Sequence, residues 1–299
     1  MAVPRFLITG CRGQLGRDLH GLLKKDFDVT GVDLDNFDIR NAEAVAACVE
    51  DIRPDVILHA AAYTDVDGSE SHRQEAESVN VTGTENIALA ARKAGARVIY
   101  YSTDYVFDGL KETAYVESDE PYPLNVYGTS KLEGEKKIGH LLDDFAIMRI
   151  GWLYGRTGKN FVKTMIGLGK DQMRRKSGGG SVSPLRVVDD QVGNPTWTVD
   201  VAAQTRVVIE KGLTGLYHAT AEGETSWYRF ALDIFEALQW PVAVEACSGR
   251  DLGRPAQRPG RSSLENQRLK QAGANVMRDY KAALREFLDQ NREDLTRDV

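Results

Sequence analysis

Short apolar runs alternate with amphipathic stretches through the first half of the chain. RFLITG (5–10), FDVTGVD (27–33), PDVILHAAA (54–62), ARVIYYS (96–102) and FAIMRIG (145–151) have the length and β-branched content of buried strands. Between them, apolar residues recur with a helical period over about 14–25, 42–52, 72–94 and 125–142. Parallel strands need a crossover, and a helix between each pair supplies it. The pattern therefore predicts an α/β fold, a Rossmann-like doubly wound parallel sheet.

After about residue 155 the rhythm loosens. It predicts a helix near 159–169, a strand in LRVVDD, helices near 199–212 and 226–238, and a charged amphipathic helix near 278–291. RRKSGGGSVSP (174–184), with three glycines beside basic residues, reads as a mobile loop, either a lid or a disordered insertion. The expected division is a Rossmann-like domain over 1–155 and a smaller, irregular α/β C-terminal domain over 156–299, with segments at about 185–213 returning to the first.

Composition narrows the partners. A net charge of −6 argues against general nucleic-acid binding, which needs a basic surface. No apolar run approaches membrane-spanning length, and MAVPRFLITG reaches a glycine stretch too soon for a signal peptide, so a cytoplasmic protein without a membrane partner is expected. Cys11, Cys48 and Cys247 lie far apart and no Cys/His cluster has zinc spacing; no metal is expected.

ITGCRGQLG sets Gly10, Gly13 and Gly16 directly after the first strand and into the first helix, with Cys11, Arg12, Gln14 and Leu15 completing the turn. Glycines there let the backbone approach a pyrophosphate, whose charge the helix N-terminus meets. The spacing is G-x-x-G-x-x-G rather than G-x-G-x-x-G, so the context carries the reading: Asp33 closes the second strand, where an acidic side chain takes ribose hydroxyls. The first domain thus reads as NAD(P)-binding. Asp33 favours NADH by repelling a 2'-phosphate and Arg12 favours NADPH by attracting one, which leaves the choice open.

The fourth strand ends in YYSTDYVFDG (100–109) and delivers Ser102, Thr103 and Asp104 to the carboxyl edge of the sheet, the ligand edge of such folds. EPYPLNVYGTSKLEGEKK then places Tyr127 and Lys131 one helical turn apart. Alone, that spacing describes two ordinary helix residues. Beside a nicotinamide and a strand-end hydroxyl it becomes a set for reducing a carbonyl: Tyr127 protonates the oxygen, Lys131 lowers the phenol pKa and grips the nicotinamide ribose, and Thr103 hydrogen-bonds the carbonyl oxygen.

With ITGCRGQLG, HAAAYTDVDGSE, VNVTGT, STDYVFDG, NVYGTSKLEGE, MRIGWLYG, GKNFVKTM, DDQVGNPT and RPAQRP in order, the chain resembles, nearly end to end, the extended short-chain dehydrogenase/reductases. Within them it is similar to the dTDP-4-dehydrorhamnose reductase family. The resemblance implies NAD(P)H-dependent reduction of the 4-keto group of dTDP-6-deoxy-L-lyxo-4-hexulose, the last step of dTDP-L-rhamnose synthesis. It implies a triad of Thr103, Tyr127 and Lys131, and a sugar contact at Trp152, with Val66 beside the substrate. Cofactor contacts would include Asp38 and Ile39 near the adenine and Ala61, Ala62, Tyr63 and Thr64 along the HAAAYT strand end. Dimers occur in the family, so the resemblance admits a homodimer. Relative to the family, DQMRRKSGGGSVSP looks long and Asp65 replaces a small residue.

Other residues keep two readings. Arg254 and Arg258 of RPAQRP could grip a diphosphate in bidentate fashion or be solvated loop arginines. Asp104 could contact sugar or cap its loop, Trp152 could be core, and Cys11 could face the cofactor or simply fill a tight turn. Asn160 reads as a helix cap and DDQVGNPT as a structural loop, while His59 and His218 read as core histidines. Two rival functions also follow. One is reduction of another nucleotide-linked 4-keto-6-deoxy sugar. The other is a non-catalytic, nicotinamide-binding subunit resembling the regulatory beta subunit of methionine adenosyltransferase.

Overall fold

The apolar runs of the first half pair side by side. In a computed structural model that describes residues 3–297, β1 (Arg5–Thr9), α1 (Gln14–Leu23), β2 (Asp28–Val32), α2 (Ala42–Ile52), β3 (Val56–His59), α3 (Thr84–Ala94), β4 (Arg97–Thr103), α4 (Val126–Leu141) and β5 (Phe145–Ile150) follow in turn. The second half adds α5 (Phe161–Ser177), α6 (Thr198–Glu210), β6 (Gly215–His218), α7 (Trp227–Leu238) and α8 (Tyr280–Thr296). The main sheet runs β6-β5-β4-β3-β1-β2, with every pairing parallel. The order reverses at β1, between β2 and β3, and a crevice opens above the carboxyl ends of β1 and β3.

Both faces of the sheet are covered, which is why its strands read as continuous apolar runs; every residue of β3 is buried. Side chains alternate along β1, so Phe6 and Ile8 meet Leu15, Leu19 and Leu23 of α1 and Val201 and Val208 of α6. Leu7 faces the other way, towards Val45 and Val49 of α2 and Ile87 of α3. A separate core joins Val162 and Ile166 of α5, Phe230 and Ile234 of α7, and Leu284 and Phe287 of α8. Each such side chain contributes about 1.5–3 kcal/mol on burial.

Three segments depart from the periodicity reading. The helix expected over 72–94 is instead an α-helical turn at Arg73–Glu77, a π-helical segment at Ser78–Gly83, and then α3. The cause is Asn80: its side chain accepts from Tyr63 N at 2.8 Å and donates to the Tyr63 carbonyl at 3.1 Å and Ser130 Oγ at 2.9 Å. The widened turn aims Asn80 inward while Ile87 and Ala91 stay on the core face. Secondly, α5 continues to Ser177, so Arg174, Arg175 and Lys176 form its last turn, where cations meet the carbonyl end of the helix dipole. The loop is therefore shorter than 174–184, and Gln172 pins it by donating to the Ser183 carbonyl. Thirdly, Leu185–Val188 pairs with Val244–Cys247 beside the smaller core, whereas α6 packs on the main sheet with α1. Among the described residues, no helix is long and apolar enough to cross a membrane.

Candidate active site

The turn between β1 and α1 is built for close approach. Gly10 has φ +67°, and a β-carbon there would lie 2.7 Å from Ala61 N; one on Gly16 would collide with the Gly10 carbonyl. Gly13 caps α1 with no side chain, leaving the first-turn amides without an intrahelical or capping acceptor. A cleft of about 630 Å³ opens over this turn. Gly10, Gly13, Gln14, Leu15 and Gly16 line it, together with Asp33, Asp38 and Ile39. Ala61, Ala62, Tyr63, Thr64 and Val66 add the strand-end wall after β3, and Ser102, Thr103, Asp104, Tyr127, Lys131 and Trp152 complete it.

Two residues of the glycine turn stand apart. Cys11 is turned against Gly31 of β2, where a β-carbon would approach Cys11 Cβ to 2.7 Å, so its thiol fills the turn rather than the cleft. Arg12 is exposed and pairs with Asp35. Its backbone N–H, with that of Leu34, donates to the Asp33 carboxylate, each at 2.9 Å.

Asn125 begins α4 by accepting from Gly128 N at 2.8 Å, and it donates to the Gln257 carbonyl at 2.9 Å. Gly128 packs against the Tyr105 carbonyl with no room for a β-carbon. This docking brings half-buried Tyr127 to the buried Thr103, whose hydroxyl lies within hydrogen-bonding reach of the phenol. Lys131 is 2% exposed, with Nζ 4.1 Å from the centroid of the Tyr100 ring. Burial pushes the Lys131 pKa down to about 7 against the pull of Glu135. Desolvation raises that of Tyr127, with Asp104 and Tyr105 adding to the rise and the Thr103 hydrogen bond opposing it, so the phenol pKa moves up rather than down as expected from the lysine.

Asp104 is buried and its pKa rises to about 6 through desolvation, opposed by Ser262 and Thr103. Ser262 Oγ lies 2.5 Å from one carboxylate oxygen, and Thr103 Oγ1 donates to the other at 3.0 Å. Ser102 Oγ is buried in the cleft wall without a hydrogen-bond partner. An orphan hydroxyl, uncapped helix amides and glycines whose β-carbons would clash together suit a dinucleotide, with its diphosphate at the turn.

Arg254 and Arg258 line a second cleft of about 770 Å³, which shares Tyr105 and Trp227 with the first. Arg258 donates to both oxygens of Asp67, at 2.9 and 2.8 Å, and to the Ala256 carbonyl at 3.0 Å. Its fork is thus engaged by a protein carboxylate, so in this structure it is neither a free diphosphate grip nor a solvated loop arginine. Arg254 is exposed and forms no ion pair among the described residues. His59 bridges Thr9 and Thr84, and both His59 and His218 are buried, with pKa values pushed down to about 3 mainly by desolvation. Asn160 caps α5 and also donates to Gln14 Oε1 at 2.9 Å. Trp227 and Ser262 were not among the sequence candidates: the first sits in an apolar helical pattern that reads as core, and the second carries no local signal.

A glycine turn above the switch point of a six-stranded parallel sheet defines a Rossmann-like, doubly wound α/β protein. The family model described as RmlD substrate binding domain matches residues 4–293, and the chain belongs to that family. It is 38% identical over 297 residues to a dTDP-4-dehydrorhamnose reductase of Aggregatibacter actinomycetemcomitans, covering 95% of this chain and 98% of the relative. A dTDP-4-keto-6-deoxy-D-glucose reductase of Streptomyces niveus is 36% identical over 288 residues, with 94% and 95% covered. Among solved structures, a dTDP-4-dehydrorhamnose reductase of Bacillus anthracis in complex with NADP has a TM-score of 0.91 at 37% identity, over 97% of this chain and 100% of that one.

Proposed function

We propose that this protein reduces the 4-keto group of dTDP-4-dehydro-L-rhamnose to dTDP-L-rhamnose with NADPH or NADH. The observation that carries the reading is the meeting of Thr103, Tyr127 and Lys131 in the same cleft as the uncapped glycine turn. A bound nicotinamide cofactor supplies the hydride. The chain's own residues bind, orient and protonate. The α1 amides and the Gly10–Gly16 turn hold the diphosphate, Asp33 takes ribose hydroxyls, and Lys131 holds the nicotinamide ribose. Tyr127 gives its phenolic proton to the carbonyl oxygen. Its raised pKa keeps that proton in place until negative charge builds on the substrate. Thr103 orients the same oxygen, Trp152 walls the sugar, and Arg254 meets the anionic nucleotide in the second cleft.

The Bacillus anthracis structure with NADP supports NADPH as one cofactor. The Streptomyces niveus relative supports a second reading, in which the substrate is another dTDP-linked 4-keto-6-deoxy sugar. The test is to supply purified protein with dTDP-6-deoxy-L-lyxo-4-hexulose, generated in situ by an epimerase, and follow absorbance with NADH and NADPH separately. Cofactor oxidation with an L-rhamno product by NMR is expected; a different configuration favours the second reading, and no oxidation with either nicotinamide sinks both. Tyr127→Phe should retain cofactor binding and lose about 100-fold or more in turnover.

A further inference from the structure

Trp152 follows β5 with φ +48°, a left-handed conformation rarely adopted by a side-chain-bearing residue and kept only where its surroundings over-determine it. Two residues of the second half do so. The indole of Trp227, at the start of α7, lies parallel to that of Trp152, with 3.4 Å between centroids and 3° between planes. Gly193, in the DDQVGNPT turn, sits so close to the same indole that a β-carbon would run into Cε2 and Nε1. These two contacts are linked. Val192 and Gly193 pair antiparallel with Thr225 and Ser226, the residues just before Trp227. Ser226 then caps α7 by accepting from Arg229 N at 3.1 Å, which fixes where Trp227 stands.

Both tryptophans are only half-buried and both line the cleft that holds Thr103 and Tyr127, so the stack is a cleft wall and not core filler. Trp227 also lines the second cleft with Arg254. We infer that Gly193 and Trp227 form a slot that positions the Trp152 indole, and through it the substrate sugar, against Tyr127. The inference deepens the proposed reduction and rests on it for the identity of the sugar. It gives DDQVGNPT a role that reading it as a structural loop did not: the glycine makes room for the Trp152 indole, because any side chain at 193 would occupy the slot.

The test uses full-length protein labelled with 5-fluorotryptophan, and the variants Trp227→Ala, Trp227→Phe and Gly193→Ala. Trp227→Ala and Gly193→Ala should each lower kcat/KM for the dTDP-4-keto sugar about tenfold or more, because a small misplacement of the reacting centre is costly. The dissociation constant for NADPH should stay within about twofold, since no proposed cofactor contact is touched. The Trp152 fluorine resonance, single in the parent protein, should broaden or split in both variants, and Trp227→Phe should restore most of both readouts. Parent-like kcat/KM with an unmoved Trp152 resonance overturns the slot, as does a parallel loss of NADPH affinity, which would mark general collapse. Failure of the parent protein to reduce the sugar would sink the proposed function instead, and the Trp152 resonance would still decide the slot.

Discussion

At the scale of single residues, Lys131 titrates where it matters. Burial lowers its pKa to about 7, so its ammonium is present below that pH and lost above it. Tyr127, raised by desolvation, keeps its proton across the neutral range. With a charged lysine assisting, kcat/KM for the nicotinamide should fall as pH rises through about 7, a limb that Lys131→Arg flattens because a guanidinium stays charged. A limb unmoved by that substitution would put the titration elsewhere. Stability runs the opposite way. An unfolded lysine holds its proton up to about 10.5, so between about 7 and 10.5 the unfolded chain binds the extra proton and stability rises with pH. Below that window the cost of the buried charge is fully present. Urea midpoints at about pH 6 and pH 9 should differ in the parent and converge in Lys131→Met. The Tyr127–Lys131 pair and the glycine turn were legible because every relation that defines them is local in sequence. The partner of Asp104 was not: Ser262 lies 158 residues away, and no spacing rule reaches that far.

At the scale of elements, periodicity finds a helix and misses what happens inside it. The stretch 72–94 has helical spacing throughout, yet the π-helical segment at Ser78–Gly83 comes from a side chain that bonds to the backbone of another loop. Asn80 is buried and ties the wall after β3 to α4, so it supports both the cofactor side and the Tyr127 side of the cleft. Asn80→Ala would strand Tyr63 N and the Tyr63 carbonyl and should cost about 1–3 kcal/mol, read from urea unfolding. It should also weaken nicotinamide binding, measured by fluorescence titration, as the Ala61–Thr64 wall relaxes. A stability loss with cofactor affinity intact would mean that the wall is held by something other than this side chain. The end of α5 was misread for a related reason. Basic residues ahead of three glycines look like loop in composition, but in position they are a favourable last turn.

At the scale of the whole molecule, the first half's alternation of strands and helices could be read from the sequence, whereas the return of residues 257–262 to the cleft could not. Gln257 meets Asn125, Ser262 meets Asp104, and Arg258 meets Asp67, so the C-terminal segment is part of the cleft wall rather than an appendage. These contacts separate two arginines that look alike in RPAQRP. Arg258 is half-buried and bidentate to a carboxylate, and removing it leaves Asp67 without the partner that holds its pKa below the ordinary value. Arg258→Ala should therefore lower stability by about 1–3 kcal/mol, and pairing it with Asp67→Ala should recover part of that loss because the stranded carboxylate is gone. Arg254→Ala should leave the unfolding midpoint unchanged and raise KM for the dTDP sugar about tenfold, with an effect that shrinks at high salt because the contact is exposed. Should Arg258→Ala instead leave stability intact and raise KM alone, Asp67 would be an incidental neighbour and the guanidinium would belong to the nucleotide after all.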